Sequence, residues 1–260
     1  TAVLNADDQV VMSYRARTSA RVVTYGTTSG DIRADRVEID ADGRARFDLV
    51  SETGRASVAL PVPGEHMVPN ALAAAAVGIS LGIPVDDCAA ALAEARISAG
   101  RMEVFDTPGG IRVVNDAYNA NPTSMAAALR AVRWMSGARR SVAVLGHMAE
   151  LGPIGPQEHD RIGQLVARLG IGLLVVVGDD AELIAVAAER EGVEPERIHR
   201  VDDVEDAIHL LPGLLRAGDV VLVKASRVVR LERLAGALGG PDGASAPRDD
   251  SFAAVKGAGA

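Results

Sequence analysis

Five short segments of this chain bring polar side chains together at places where chemistry could be done. The densest is Asn115-Asp116-Ala117-Tyr118-Asn119-Ala120-Asn121-Pro122. It follows a β-branched strand candidate and precedes a helix, and in a parallel α/β sheet the carboxyl ends of strands open onto the ligand crevice. Asp116 could accept hydrogen bonds from ribose hydroxyls, while Asn119 and Asn121 could orient a phosphate or cap the helix opened by Pro122 and Thr123. Ordinary turn chemistry would also gather Asn, Asp and Pro here.

The segment Gly64-Glu65-His66-Met67-Val68-Pro69-Asn70 leads into an alanine-rich helix. His66 therefore lies just before a helix N-terminus, whose free N–H groups favour a polar or anionic ligand, although a surface loop would read the same way. Arg101, in Gly100-Arg101-Met102-Glu103, sits between two predicted lobes. There it could fork onto a phosphate or form an ion pair with Glu103 or Asp106. Lys224-Ala225-Ser226-Arg227 follows the last strand candidate, and Lys224 is one of two lysines against 25 arginines. A compact point charge is the distinctive property of lysine, and Lys224 with Ser226 could bind a carboxylate or merely cap a helix. His147, in Leu145-Gly146-His147-Met148-Ala149-Glu150-Leu151-Gly152, also follows a strand, and His159 opens a helix. The five histidines are scattered, and there is no Cys-x-x-Cys, His-Glu-x-x-His, Gly-x-Ser-x-Gly or phosphate-binding G-x-x-x-x-G-K-[ST] motif. No metal site is expected within the chain.

The elements that must carry these segments follow from hydrophobic patterning. Before residue 66, Arg21–Tyr25, Val37–Ile39, Ala45–Val50 and Ala56–Leu60 alternate as strands, read as hairpins, with Asp42-Gly43 the clearest turn. Helices are expected over Asn70–Leu81 and Val85–Ile97. After Gly109-Gly110, strands at Ile111–Asn115, Ser141–Gly146, Leu173–Gly178, Ile198–Val201 and Val220–Lys224 alternate with helices at Ser124–Met135, Pro156–Leu169, Asp180–Arg190, Val204–Leu215 and Val228–Leu238. That rhythm predicts crossover units, a mainly parallel sheet and a three-layer α/β domain. The expected boundary is a hinge at Asp106 to Gly110, giving domains over 1–106 and 107–239. Residues 240–260, poor in large apolar groups, are expected to be a disordered tail.

Composition bounds the partners. The chain has 260 residues, 48% hydrophobic and 24% charged, with net charge −8. That is globular, and it argues against nucleic acid or an anionic membrane as partner. No apolar run approaches the roughly 18 residues of a membrane span, and a single cysteine, Cys88, fits a reducing cytoplasm.

In chain order, Leu4-Asn5-Ala6-Asp7-Asp8, Gly64 to Ala76, Gly100 to Glu103, Asn115 to Pro122, Leu145 to Gly152 and Lys224 to Glu232 resemble the Mur ligases of bacterial cell-wall synthesis. Tyr118-Asn119-Ala120-Asn121-Pro122 and Lys224-Ala225-Ser226-Arg227 resemble the MurF type in particular. The resemblance implies the latter part of a central ATPase domain followed by a Rossmann-like C-terminal ligase domain. It implies ATP-dependent ligation of D-alanyl-D-alanine to a UDP-N-acetylmuramoyl-tripeptide through an acyl phosphate, in the cytoplasm, by a monomer taking small-molecule substrates. The alternatives are a Mur-type ligase for a single amino acid and a non-catalytic nucleotide-binding module. ATP and Mg²⁺ are the implied cofactors, with the metal ligands, the phosphate loop and a carbamylated lysine upstream of Thr1, so that this piece alone would not turn over. By the same resemblance His66 and Asn70 flank the adenine, Arg101 meets the γ-phosphate, and Asp116 holds ribose or phosphate. Asn119 and Asn121 line the cleft, and Tyr118, Lys224, Ser226 and Arg227 face the peptide substrates. Arg101, Asp116 and Lys224 are the implied catalytic set. Met67 and His147 depart from the family pattern, which has Asn and an acidic residue there.

Overall fold

A computed structural model describes residues 1–239 and folds them into two lobes, each built on one sheet. The expected tail at 240–260 lies outside the described residues. In the first lobe β1 (Ala2–Asn5), β2 (Val22–Gly26), β3 (Ile32–Ile39), β4 (Arg44–Ser51) and β5 (Gly54–Pro63) lie in sequence order. The β3–β4 and β4–β5 pairs are hairpins as expected, but β1–β2 and β2–β3 are parallel. The β1–β2 crossover carries α1 (Gln9–Ser13). The short β2–β3 link is held by side chains rather than by a ladder: Asp31 accepts from the N–H and hydroxyl of Thr24, and Asp7 from those of Thr27 and Thr28. Alternation of apolar residues cannot reveal that kind of tie.

Helices α2 (Met67–Ser80) and α3 (Val85–Ala93) cover this sheet. Ala71, Ala75 and Ala76 of α2 are buried with Leu72 against Val23, Phe47, Leu49 and Val58, their small side chains allowing the helix to lie close. Helix α2 starts three residues before the expected Asn70, and α3 stops four before Ile97.

The second lobe is the three-layer domain the sequence predicts. Its strands β6 (Glu103–Asp106), β7 (Arg112–Asn115), β8 (Ser141–Gly146), β9 (Leu173–Val177), β10 (Ile198–Val201) and β11 (Val220–Lys224) run in the order β10-β9-β8-β11-β7-β6. All neighbours are parallel except β6 with β7. Helices α4 (Pro122–Ser136), α5 (Gly155–Leu169) and α6 (Glu182–Arg190) cover one face, and α7 (Val204–Leu214) and α8 (Glu232–Ala237) the other. Every residue of β8, β9 and β11 is buried, which is why these strands read as continuous valine-rich runs. Each fully buried Val or Leu contributes up to about 1.5–3 kcal/mol.

The expected hinge is not where the lobes part. Val104 pairs with Val114 and Phe105 with Val113, so Thr107 to Gly110 is the turn of a hairpin inside the second sheet, closed by Gly110 N–H donating to Thr107 O. The change of sheet falls before Glu103. The last expected helix is also divided: residues 227–229 form a 3-10 turn and Arg230 adopts φ 59° before α8 begins. The lobes touch at α4, where the Trp134 indole donates to Asp40 O (3.0 Å), and at β7, where Arg112 spans Asp106 and Asp42.

Packing of α5 on α6 depends on Gly163, where an added Cβ would fall 2.2 Å from Ile184 O and 2.6 Å from Ala187 Cβ. Gly163→Ala should therefore cost about 1–3 kcal/mol through overpacking. Chemical denaturation should show a lower midpoint with an unchanged slope; an unaltered midpoint would contradict this packing.

Candidate active site

Strand β11 lies between β7 and β8, with Val223 beside Asn115 and Lys224 beside Leu145. Three neighbouring strands therefore deliver Asp116, Lys224 to Ser226, and His147 to one edge of the sheet, the position at which open α/β sheets bind ligands. Asp116 and Lys224 meet directly. The ammonium donates to Asp116 Oδ2 (2.6 Å) and to Asn119 O (2.9 Å), while Asp116 Oδ1 accepts the Met102 N–H (3.0 Å). Lys224 is only 1% exposed.

One expectation is corrected here. Lys224 does not face a substrate, because its ammonium is buried and committed to oxygens of the Asp116–Asn119 segment; a compact charge fits this site and a planar guanidinium fork would not. Ser226 lines a cavity with Tyr118 and Arg227, but its hydroxyl is already engaged. Its buried hydroxyl donates to Ala120 O (3.3 Å) and accepts the Ala149 N–H (2.8 Å), stapling the Asp116–Asn121 segment to the loop after β8.

Around this buried knot the exposed groups are Arg101, Tyr118 and Arg227. The Arg101 guanidinium lies 3.9 Å from the centroid of the Tyr118 ring, and that of Arg227 5.5 Å. The alternative of an ion pair at Arg101 is not what forms: Glu103 accepts from Asn115 Nδ2 and Gly100 N–H, and Asp106 is held by Arg112. Arg101 thus presents its charge beside the cleft on an aromatic platform, an arrangement worth about 0.5–1 kcal/mol at exposed sites. Asn119 Oδ1 accepts its neighbour's N–H, and Asn121 is the N-cap of α4 in a reciprocal capping box with Ser124. The capping alternative therefore describes Asn121.

His66 reaches a different wall. It occupies the N-cap position of α2 without capping it, its ring folded over Gly64, which at φ 111° has no Cβ to obstruct it; a Cβ there would sit 2.4 Å from the imidazole. The ring lines an interlobe cavity of about 560 Å³ together with Thr27, Pro69, Arg130 and Trp134. Burial pushes the His66 pKa below its usual value, with the Asp116 carboxylate opposing and the Lys224 ammonium assisting. Asn70 is absent from this cavity: it is exposed and its amide donates to Met67 Sδ. Of the two residues expected to flank a base, only His66 lines this cavity.

Sequence reasoning missed Trp134 and Glu150. Trp134, the only tryptophan of the chain, is 60% exposed on α4; a lone exposed indole was the available signal. Glu150 lines a second cavity of about 530 Å³ with Tyr118, Asn119, Asn121 and Arg227. His147 stacks on His159 with ring centroids 5.2 Å apart. His159, 2% exposed, is structural: Nε2 accepts the Met148 N–H and Nδ1 donates to Gly155 O. Among the described residues no three His, Cys, Asp or Glu side chains converge as a metal site, and no helix is long and apolar enough to cross a membrane.

Two outcomes are expected from these geometries. Lys224→Met leaves a buried carboxylate uncompensated and should cost about 3–5 kcal/mol. Because Asp116→Asn removes the same interaction, the double variant should cost less than the sum of the singles by about 1–3 kcal/mol; additivity in denaturation experiments would contradict the pair. For pH, burial holds the pKa of His159 below its ordinary value of 6.5. The unfolded chain therefore takes the proton first, so this stabilisation is complete above about pH 6.5 and is lost on acidification below it. His66 acts in the same direction. The unfolding free energy should decline from about pH 7.5 to 5.5, and His159→Gln should make that decline shallower; an equal slope in the variant would exclude His159 as its source.

Comparison with known proteins agrees with this fold. The Mur ligase middle domain is matched by residues 1–78, and the Mur ligase glutamate ligase domain by residues 100–227. The UDP-N-acetylmuramoyl-tripeptide–D-alanyl-D-alanine ligase of Mycobacterium tuberculosis is 44% identical over 255 residues, which cover 91% of this chain and 50% of that protein. A crystal structure of MurF from Acinetobacter baumannii superposes with a TM-score of 0.79 at 28% identity, covering 91% of this chain and 51% of its own. MurF ligase from Thermotoga maritima in complex with ADP superposes with a TM-score of 0.74 at 26% identity, covering 91% of this chain and 52% of its own. The chain spans about half the length of these relatives. With both lobes matched in order, the chain belongs to the Mur ligase family and carries middle-domain and C-terminal-domain sequence of it.

Proposed function

We propose that the protein to which this chain belongs joins D-alanyl-D-alanine to a UDP-N-acetylmuramoyl-tripeptide at the expense of ATP, in the cytoplasm and as a monomer. The observation that carries this reading is the Arg101–Tyr118–Arg227 stack, whose Tyr118 and Arg227 line one cavity while Arg101 lines a separate crevice formed by both lobes, with Arg44 and Pro63 opposite Met102 and Val104. A cationic ledge that borders two separate cavities suits a reaction that joins two substrates. The names of the relatives supply the substrate class.

In this reading the first cavity takes the nucleotide. His66 and Trp134 offer flat faces to a base and Arg130 offers charge to phosphates, while Arg101 stands at a separate crevice between the lobes. ATP supplies the phosphoryl group that activates the acid. Arg101 offsets the negative charge that grows on oxygen during phosphoryl transfer and again as the amine attacks. Asp116 and Lys224 act one step back, fixing the segment that carries Tyr118. The second cavity takes the dipeptide, with Arg227 toward its carboxylate. Among the described residues no His, Cys, Asp or Glu cluster suited to Mg²⁺ forms; in this reading metal ligands and phosphate loop belong to another part of the protein.

The test uses the full-length natural protein. With ATP and the UDP-linked tripeptide, phosphate release should depend on D-alanyl-D-alanine and should not be supported equally by single amino acids. Arg101→Ala should lower turnover about tenfold or more, equivalent to about 1.4 kcal/mol or more of lost transition-state stabilisation. Preference for a single amino acid would overturn the substrate assignment, and an unchanged rate would make Arg101 structural.

A further inference from the structure

The second cavity carries two charges of opposite sign that do not neutralise each other. Arg227 and Glu150 both line it, and among the described residues neither forms an ion pair, with the other or with any other group. The rest of the lining is uncharged: Tyr118, Asn119, Asn121 and Ser226 with apolar Ala120, Ala149, Leu151 and Val228. A volume of about 530 Å³ is in the range of small-molecule sites.

Glu150 is also held there against its backbone preference. It adopts φ 65°, a left-handed conformation that costs a non-glycine residue on the order of 1–2 kcal/mol. The loop around it is pinned from three sides. Met148 N–H donates to His159 Nε2 (2.9 Å), Ala149 N–H to Ser226 Oγ (2.8 Å), and His147 O accepts from Ser226 N–H (2.9 Å). Glycine would sit at position 150 without strain, so the carboxylate is retained at a conformational cost, the pattern expected where a side chain serves a ligand.

We infer that Glu150 binds the ammonium group of the incoming dipeptide while Arg227 holds its carboxylate, so that the cavity reads a zwitterion by its two ends. This deepens, and rests on, the proposed ligase reading. An extended dipeptide spans about 7 Å, and its two charged ends match the two signs of charge that the cavity presents. Glu150 is a recognition residue in this scheme, and no proton transfer is assigned to it.

The experiment compares full-length wild type with Glu150→Gln and Glu150→Gly in steady-state kinetics and thermal unfolding, using D-alanyl-D-alanine as the probe. Both variants should raise KM for the dipeptide by about tenfold or more, as loss of a charge-assisted contact demands, while KM for ATP stays unchanged. Glu150→Gly should show this defect with a melting temperature equal to or above wild type, because the strain is released. A purely structural role would lower the melting temperature and disturb both KM values together. Wild-type KM for the dipeptide in Glu150→Gly would overturn the inference. If wild type shows no turnover dependent on the dipeptide, the ligase reading itself falls and takes this inference with it.

Discussion

The buried pairing of Asp116 with Lys224 is the constraint on which the site's geometry depends. An ammonium 1% exposed is tolerable only if its donors are satisfied, and they are satisfied by the very segment that carries the exposed polar groups. Because Lys224 ends β11 and Asp116 follows β7, one ion pair ties two adjacent strands, fixes Asn119 through its carbonyl and leaves Tyr118 facing outward. The other carboxylate oxygen holds Met102 at φ 49°, which sets the direction in which the preceding Arg101 leaves the chain. Two charges hidden from solvent thus determine where two exposed cations stand.

The same economy operates in the loop after β8. Ser226 and His159, both buried, spend their polar atoms on backbone groups of residues 147–149 and 120. The consequence is a rigid rim on the second cavity, able to hold Glu150 in a strained conformation. Across the cleft, Asp7 plays an equivalent part for Thr27. Burial alone would raise its pKa, but the hydroxyls and N–H groups of Thr28 and Thr27 bring it down to about 2, so it remains an anion that organises the turn next to the interlobe cavity.

Much of the second lobe was legible in sequence because its strands are buried on both faces and its helices on one, so periodicity and length distinguish them. Its first strand, β6, was not: four half-exposed residues carry little pattern, and their pairing with β7 moved the lobe boundary ahead of the Pro108-Gly109-Gly110 turn that looked like a hinge. In the first lobe the parallel pairing of β1, β2 and β3 was hidden for a related reason, since the ties in the β2–β3 link are side-chain hydrogen bonds to Asp7 and Asp31. At the site, residue type and position located the segments correctly but not the role of each member. Lys224 stands where a ligand should be, yet points beneath it. Trp134 carries no motif, Glu150 has no role assigned within its Leu145–Gly152 segment, and only the fold brings them to cavities.

The central claim is that one nucleotide is held by both lobes at once. Hydrogen exchange of the full-length protein, measured with and without ADP, tests it most directly, because the two walls of the interlobe cavity lie in separate peptides: residues 64–69 in the first lobe and 127–134 in the second. ADP should slow exchange in both peptides over the same concentration range. Protection confined to one lobe, with the other exchanging as in the free protein, would contradict the account.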